Sequence, residues 1–183
     1  FSGMGGGTSN AFCLIKYFTR NKTNKNLSNI LDKKLGSDLK LFFYKQGFLQ
    51  NLKKIREFRK KYKLYFLLVY PNIRCSTKYV YSKVKKYSSK SKYNFSKIND
   101  KSKFLDFLIN KNNDLQSIVE KKYPIIKKLI IEIEKKKGCY FSRMTGSGSV
   151  CYGVFKSRKT AKAALNAIKL KHPKCWLSVA KTI

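Results

Sequence analysis

Histidine occurs once in this 183-residue chain, at His172, which argues against a Ser-His or Cys-His catalytic pair. His172 stands beside Pro173, and we read it as a surface residue in a loop. Cysteine is sparse and scattered: Cys13, Cys75, Cys139, Cys151 and Cys175 make an odd count with no close pair. That spacing speaks against a disulfide framework and against a zinc site, and suits buried thiols in a reducing compartment. Long apolar runs are also lacking. The longest, Leu64 to Tyr70, is far too short to span a bilayer, so no membrane partner is expected. Acidic residues are few: nine Asp and Glu stand against 42 Lys and Arg, a formal charge of +33.

That charge admits two readings. A polyanion partner such as nucleic acid would explain it. So would compositional drift, because Lys, Asn, Ile, Tyr and Phe, all frequent here, are residues of AT-rich codons. The lysines are spread along the chain, which favours drift and makes nucleic acid the weaker alternative. If any segment meets a polyanion it is the Lys-, Ser-, Asn- and Tyr-rich stretch from Lys83 to Lys103. With 43% hydrophobic and 14% aromatic residues the chain can bury a core as one domain or two small ones. It opens on Phe1 rather than Met, and we read it as a fragment of a longer protein.

Everything else is arranged around Phe1-Ser-Gly-Met-Gly-Gly-Gly-Thr-Ser-Asn-Ala-Phe12. Thr8 and Ser9 can cap a helix, and Ala11, Leu14, Ile15 and Phe18 fit one face of it. A glycine loop entering a helix N-terminus gathers free N–H groups and a positive dipole end, which is a phosphate cradle. A plain turn or linker is the competing reading of the glycines. There is no Lys after the last Gly, as a Walker A loop requires, and no strand before the run, as a dinucleotide fingerprint requires.

Along the chain, Leu27, Ile30, Leu31 and Leu35 mark a short helix ended by Gly36. Asp38 opens the next element, where free amides favour an ionised carboxylate; a simple N-cap is the alternative role. Leu64–Tyr70 reads as a buried strand. Ser76 or Thr77 caps a helix bearing Val80 and Val84. Helices follow over Phe104–Ile109, after Asp114 as a cap, and over Ile126–Ile133 beyond Pro124. Strands at Cys139–Met144 and Val150–Phe155 flank the tight loop Thr145-Gly-Ser-Gly-Ser149. A helix capped by Ser157 carries Ala161, Ala164, Leu165 and Ile168, and a strand from Cys175 to Ala180 closes the chain. The pattern is α+β, with helices on a mostly antiparallel sheet.

Several of these segments resemble motifs of the GHMP kinase superfamily, in the family's order. Gly3-Met-Gly-Gly-Gly-Thr-Ser-Asn-Ala11 is similar to its Gly-Leu-Gly-Gly-Gly-Ser-Ser-Asn-Ala loop, and Leu35-Gly-Ser-Asp38 to the segment carrying its catalytic Asp. Pro71 to Tyr81 resembles a Pro-Gly-x-x-x-x-Thr-x-x-x-Tyr/Phe pattern, Asn113-Asp-Leu-Gln116 with Tyr123-Pro124 resembles Asn-Asp-Leu-Glu…Tyr-Pro, and Met144-Thr-Gly-Ser-Gly148 resembles the third GHMP motif. Two departures stand out: Leu39-Lys-Leu41 replaces Val-Pro-Phe, and Asn51-Leu-Lys-Lys54 replaces a Gly-x-Gly-Glu turn.

The resemblance implies a two-domain GHMP kinase architecture. Residues 1–62 would be the C-terminal part of a ribosomal-protein-like, ATP-binding first domain, and 63–183 a complete ferredoxin-like second domain. A catalytic Lys and most substrate contacts would lie before Phe1. The implied cofactors are ATP and Mg²⁺, with Ser2, Gly3, Met4, Gly5, Gly6, Gly7, Thr8 and Ser9 at the phosphates and Ser9 as the metal ligand. Asp38 would be the base. Thr77, Tyr81, Gly146, Ser147 and Gly148 would meet the substrate, with Tyr81 stacking on a base; helix packing is the competing role for Tyr81. Within the superfamily the match is nearest to the branch that phosphorylates cytidine-diphosphate methylerythritol, a small-molecule substrate of isoprenoid synthesis. A cytoplasmic monomer or weak homodimer is expected. A GHMP kinase for another alcohol and a basic nucleic-acid-binding protein are the alternatives.

Overall fold

A computed structural model of the chain describes residues 6–20, 22, 30–31, 34, 37–44, 46–50, 54–58, 60–88, 98 and 100–182. It divides into two units, Gly5–Lys61 and Tyr62–Thr182.

In the first unit, helix α1 spans Gly6–Phe18, a 3-10 turn spans Ser37–Phe43, and strands β1 (Gly47–Gln50) and β2 (Lys54–Glu57) form an antiparallel hairpin. Gly47 faces Glu57 in that ladder, and a Cβ there would lie 2.8 Å from the Arg56 carbonyl oxygen, so the first rung needs glycine. The hairpin brackets the departure at Asn51, whose turn residues lie outside the described set. Helix α1 starts at Gly6, so Thr8 and Ser9 sit inside its first turn and are not its cap. Its expected apolar face is also displaced: Leu14 and Phe18 are exposed, and Phe12 makes the packing contact. The Phe12 ring meets Phe43 edge-on at 5.0 Å and Phe42 at 5.8 Å. An apolar stripe is buried only where an element lies on it, and in this unit the 3-10 turn lies on the Phe12 side. Leu39 in that turn is fully buried and anchors it. The helix expected over Leu27–Leu35 lies mostly outside the described residues; Ile30, Leu31 and Lys34 within it are helical.

The second unit runs β3 (Tyr65–Tyr70), α2 (Thr77–Ser82), α3 (Lys101–Ile109), α4 (Gln116–Lys122), α5 (Pro124–Glu134), β4 (Cys139–Met144), β5 (Cys151–Phe155), α6 (Arg158–Lys171) and β6 (Trp176–Lys181). Its sheet has the order β4-β5-β3-β6, antiparallel throughout. The first strand of the unit is thus inserted between the last two, which is the split βαβ pattern of ferredoxin-like folds. The α+β expectation holds.

Local chemistry explains most boundaries. Ser157 and Thr160 form a reciprocal capping box at α6, and the Asp100 carboxylate accepts from the Lys103 N–H at the start of α3. Pro124 occupies the first turn of α5, where its missing N–H costs nothing. Ile126, Leu129, Ile130 and Ile133 of α5 and Ala161, Ala164 and Ile168 of α6 are buried against the sheet. Each of the larger side chains contributes about 1.5–3 kcal/mol by leaving water. β3 is not buried on both faces, as its continuous apolar run suggests. Leu67 and Val69 point into the core, whereas Phe66, Leu68 and Tyr70 are half-buried on the other side. Helices α5 and α6 cover the core face of β3 and its other face is only partly covered, and a run of apolar residues does not tell a reader that.

Two expectations need correction. His172 is not a free surface residue. It caps the C-terminal end of α6, and its Nε2 lies 3.1 Å from Glu132 Oε2, with the two side chains only 13% and 18% exposed. Asp114 does not cap α4, which begins after Leu115 with no side-chain cap; its carboxylate is used elsewhere.

All five cysteines are free thiols: Cys13 is exposed, Cys139 half-buried, and Cys75, Cys151 and Cys175 buried. Burial pushes the Cys139 thiol up to about 11, with nearby Glu134 adding to it, and raises the other three further from reactivity. Because the thiolate is the nucleophile, alkylation at neutral pH followed by peptide mapping should label Cys13 first. Early labelling of Cys151 would contradict the packing.

Candidate active site

The loop between β4 and β5 is held in one shape from three sides. Its own backbone closes it: Thr145 N–H donates to the Val150 carbonyl and Gly148 N–H to the Thr145 carbonyl, each at 2.8 Å. Gly146 (φ 43°) and Gly148 (φ 91°) take left-handed backbone conformations that side chains resist. At Gly148 space forbids a side chain as well, since a Cβ would lie 2.9 Å from Met144 Sδ and 3.2 Å from Cys75 Sγ. The glycines are thus required by the loop whatever binds to it.

The second side is the β3–α2 connection. Ser149 Oγ donates to the Ile73 carbonyl, and Ser147 Oγ lies 3.0 Å from Thr77 Oγ1. Thr77 is the first residue of α2, whose N-cap Ser76 accepts from the Tyr79 N–H. Thr77 and Ser147 are 70 positions apart in sequence, yet the fold puts their hydroxyls together in the open. Tyr81 follows Thr77 by one helical turn, on the same face of α2, and is 52% exposed. A core-packing role for Tyr81 is therefore excluded.

The third side is Asn113, which sequence reasoning left as structural. Its Nδ2 donates to the carbonyls of Met144 (3.0 Å) and Gly146 (2.8 Å), while its Oδ1 accepts from the Leu115 N–H (3.0 Å). Gln116 adds a further tie, accepting from the Met144 N–H at 3.0 Å. Asn113→Ala would leave these partners unpaired, at about 1–3 kcal/mol for each buried one. Hydrogen exchange at the Thr145 and Gly148 amides should accelerate, while exchange in α6 stays unchanged.

Tyr81 and Gly146 open onto one cavity of about 500 Å³, together with Tyr87, Lys111, Asn113 and Arg143. The Arg143 guanidinium donates to the Leu108 and Ile109 carbonyls, both at 2.7 Å, and so closes the C-terminal end of α3. Tyr152 lines the cavity too; burial raises its hydroxyl, and Arg143 partly offsets that. The cavity thus combines aromatic rings and the cations Lys111 and Arg143 with one carboxylate, Asp114, and its net positive charge suits a flat ring bearing an anionic group.

In the first unit, Gly6 and Gly7 begin a 13-residue helix with no acidic residue in its first turn. A Cβ on either glycine would meet no atom within 4 Å among the described residues. The first amides of a helix have no partner within it, and at the positive end of the dipole they suit a phosphate. Ser2, Gly3, Met4 and Gly5 lie outside the described residues. Asp38 is the second residue of the 3-10 turn, and its side chain lies outside the described set. Among the described residues no group of three or more His, Cys, Asp or Glu could hold a metal, and no helix is long and apolar enough to cross a membrane.

Comparison with known proteins gives the chain's relatives. Residues 102–174 match the family model "GHMP kinases C terminal". The whole chain is 36% identical to a 4-diphosphocytidyl-2-C-methyl-D-erythritol kinase of Pelagibacter ubique (strain HTCC1062), and spans 65% of that relative's length. A kinase of the same name from Anaplasma marginale (strain Florida) is 28% identical over 96% of this chain and 62% of its own length. Among solved structures, a 4-(cytidine 5'-diphospho)-2C-methyl-D-erythritol kinase superposes with TM-score 0.68 at 18% identity, covering 97% of this chain and 66% of that one. A homoserine kinase from Cytophaga hutchinsonii superposes with TM-score 0.65 at 14% identity, over all of this chain and 66% of its own. At such identities the structural likeness carries the fold alone.

Proposed function

We propose that the chain, whose residues 102–174 match the C-terminal model of the GHMP kinases, is part of such a kinase and contributes to transfer of the ATP γ-phosphoryl group to the 2-hydroxyl of 4-diphosphocytidyl-2-C-methyl-D-erythritol, a step of non-mevalonate isoprenoid synthesis. One observation carries the choice of substrate. The fold is shared almost equally with two kinases whose names specify different alcohols, but the 36% identity across the whole chain is to one named for the cytidyl substrate.

The roles follow from the chemistry of the residues. Backbone amides from Gly3 to Ser9 hold the charge of the phosphates, beside a helix whose first turn carries no acidic residue. Mg²⁺, when bound, neutralises charge on the transferring group, and Ser9 is its proposed ligand. Asp38 accepts or orients the substrate hydroxyl proton. Tyr81 stacks on the cytosine ring, and Thr77 with Gly146 and Ser147 supplies polar contacts beside it, whereas Gly148, expected there too, is buried and shapes the loop instead. We also propose residues 1–62 as part of the ATP-binding domain and 63–183 as the C-terminal domain.

The test is ADP release by the intact protein with ATP, Mg²⁺ and either the cytidyl alcohol or homoserine. Release dependent on the cytidyl alcohol is expected. Equal or faster release with homoserine would move the protein to another branch of the family.

A further inference from the structure

Building on that reading of Tyr81, we propose that Asp114 is a positioning residue that holds Tyr87 as the second aromatic wall of the substrate cavity, through Ser88. Helix α2 ends at Ser82, with Lys83 as its C-cap, and the chain from Val84 to Ser88 runs on without regular structure. Asp114 reaches across to it: Oδ2 accepts from the Ser88 N–H at 3.0 Å, and Oδ1 accepts from the Ser88 hydroxyl. These bonds hold the Asp114 carboxyl below its ordinary range.

The neighbouring residue fixes another part of the lining. Asn113 ties down the loop that carries Gly146, and Asp114 ties down the segment that carries Tyr87. Adjacent side chains of one rigid turn thus set two walls of one cavity. Tyr87 lines that cavity with Tyr81, and both rings are more than half exposed, which leaves aromatic area available to a ligand. Lys111 and Arg143 on the same cavity supply positive charge, against the single carboxylate of Asp114, whose two oxygens are taken up by Ser88. The ligand chemistry that fits is a nucleobase carrying a diphosphate.

The experiment uses the intact protein, with cytidine diphosphate as the binding probe and ADP release as a separate readout. Tyr87→Ala should weaken diphosphate binding and raise KM for the cytidyl alcohol by about tenfold, the size of one lost stacking contact. Asp114→Ala should do the same, with kcat and KM for ATP nearly unchanged. Asp114→Asn, which keeps an acceptor, should fall between. The double variant should be no worse than Tyr87→Ala, because Asp114 acts through Tyr87. Unchanged probe binding in both single variants, or additive losses in the double variant, would overturn the proposal while wild-type turnover keeps the kinase reading intact. A wild-type protein that neither binds the probe nor turns over the cytidyl alcohol would remove both. Unchanged hydrogen exchange in β5 separates loss of positioning from unfolding.

Discussion

Asp38→Asn in the intact protein is expected to reduce turnover of the cytidyl alcohol by about 10²–10⁴-fold, the range that a positioned proton acceptor contributes. ATP affinity should hardly move, because the proposed phosphate cradle is made of backbone amides that the substitution leaves in place. The exchange is nearly isosteric, and the 3-10 turn Ser37–Phe43 that carries position 38 is anchored by the fully buried Leu39 and by the Phe12 contacts of Phe42 and Phe43. The turn therefore survives, and what is lost is the capacity to take a proton. The missing Pro of the family pattern, replaced by Lys40, does not bear on that capacity. Retained turnover in Asp38→Asn would take this residue out of the chemistry; its place inside the 3-10 turn already rules out the simple N-cap role. Loss of turnover together with loss of ATP binding would instead indicate a disturbed first unit.

Much of the second unit was legible because its signals are local. The spacing of Ile126, Leu129, Ile130 and Ile133 gives the buried face of α5, Ser157 with Thr160 gives the start of α6, and the glycines of Thr145–Ser149 give the hairpin. What escaped was set by partners distant in sequence. Asn113 and Asp114 look like an ordinary helix entry, yet their side chains bond to residues about 30 positions away on either side. His172 reads as a loop residue until Glu132 is brought beside it. The Thr77–Ser147 contact could not be read from either segment alone, though the resemblance assigned both to the substrate. In the first unit the displaced face of α1 has the same origin: periodicity marks an apolar stripe but not which part of it a neighbour covers.

The sheet centre supplies the largest expected effect on stability. Gly153 of β5 pairs with Leu67 of β3 on one side and Ser142 of β4 on the other, so its backbone is fixed by ladders on both flanks. A Cβ there would lie 2.4 Å from Ile133 Cγ2 and 2.9 Å from Phe155 Cε2. Neither neighbour can move aside cheaply, because Ile133 and Phe155 are themselves essentially fully buried. Gly153→Ala should therefore destabilise the second unit by about 1–3 kcal/mol through overpacking, even though Ala suits a strand no worse than Gly. The clash names its own remedy. Ile133→Leu removes the branched methyl that the new Cβ meets, so Gly153→Ala should cost less in that background than in the wild type. The double-mutant cycle, read from hydrogen exchange of β5 amides in the intact protein, would show a favourable coupling of about 0.5–3 kcal/mol. Simple additivity would mean that the strain is relieved by a shift of the sheet and not borne at the contact between α5 and β5.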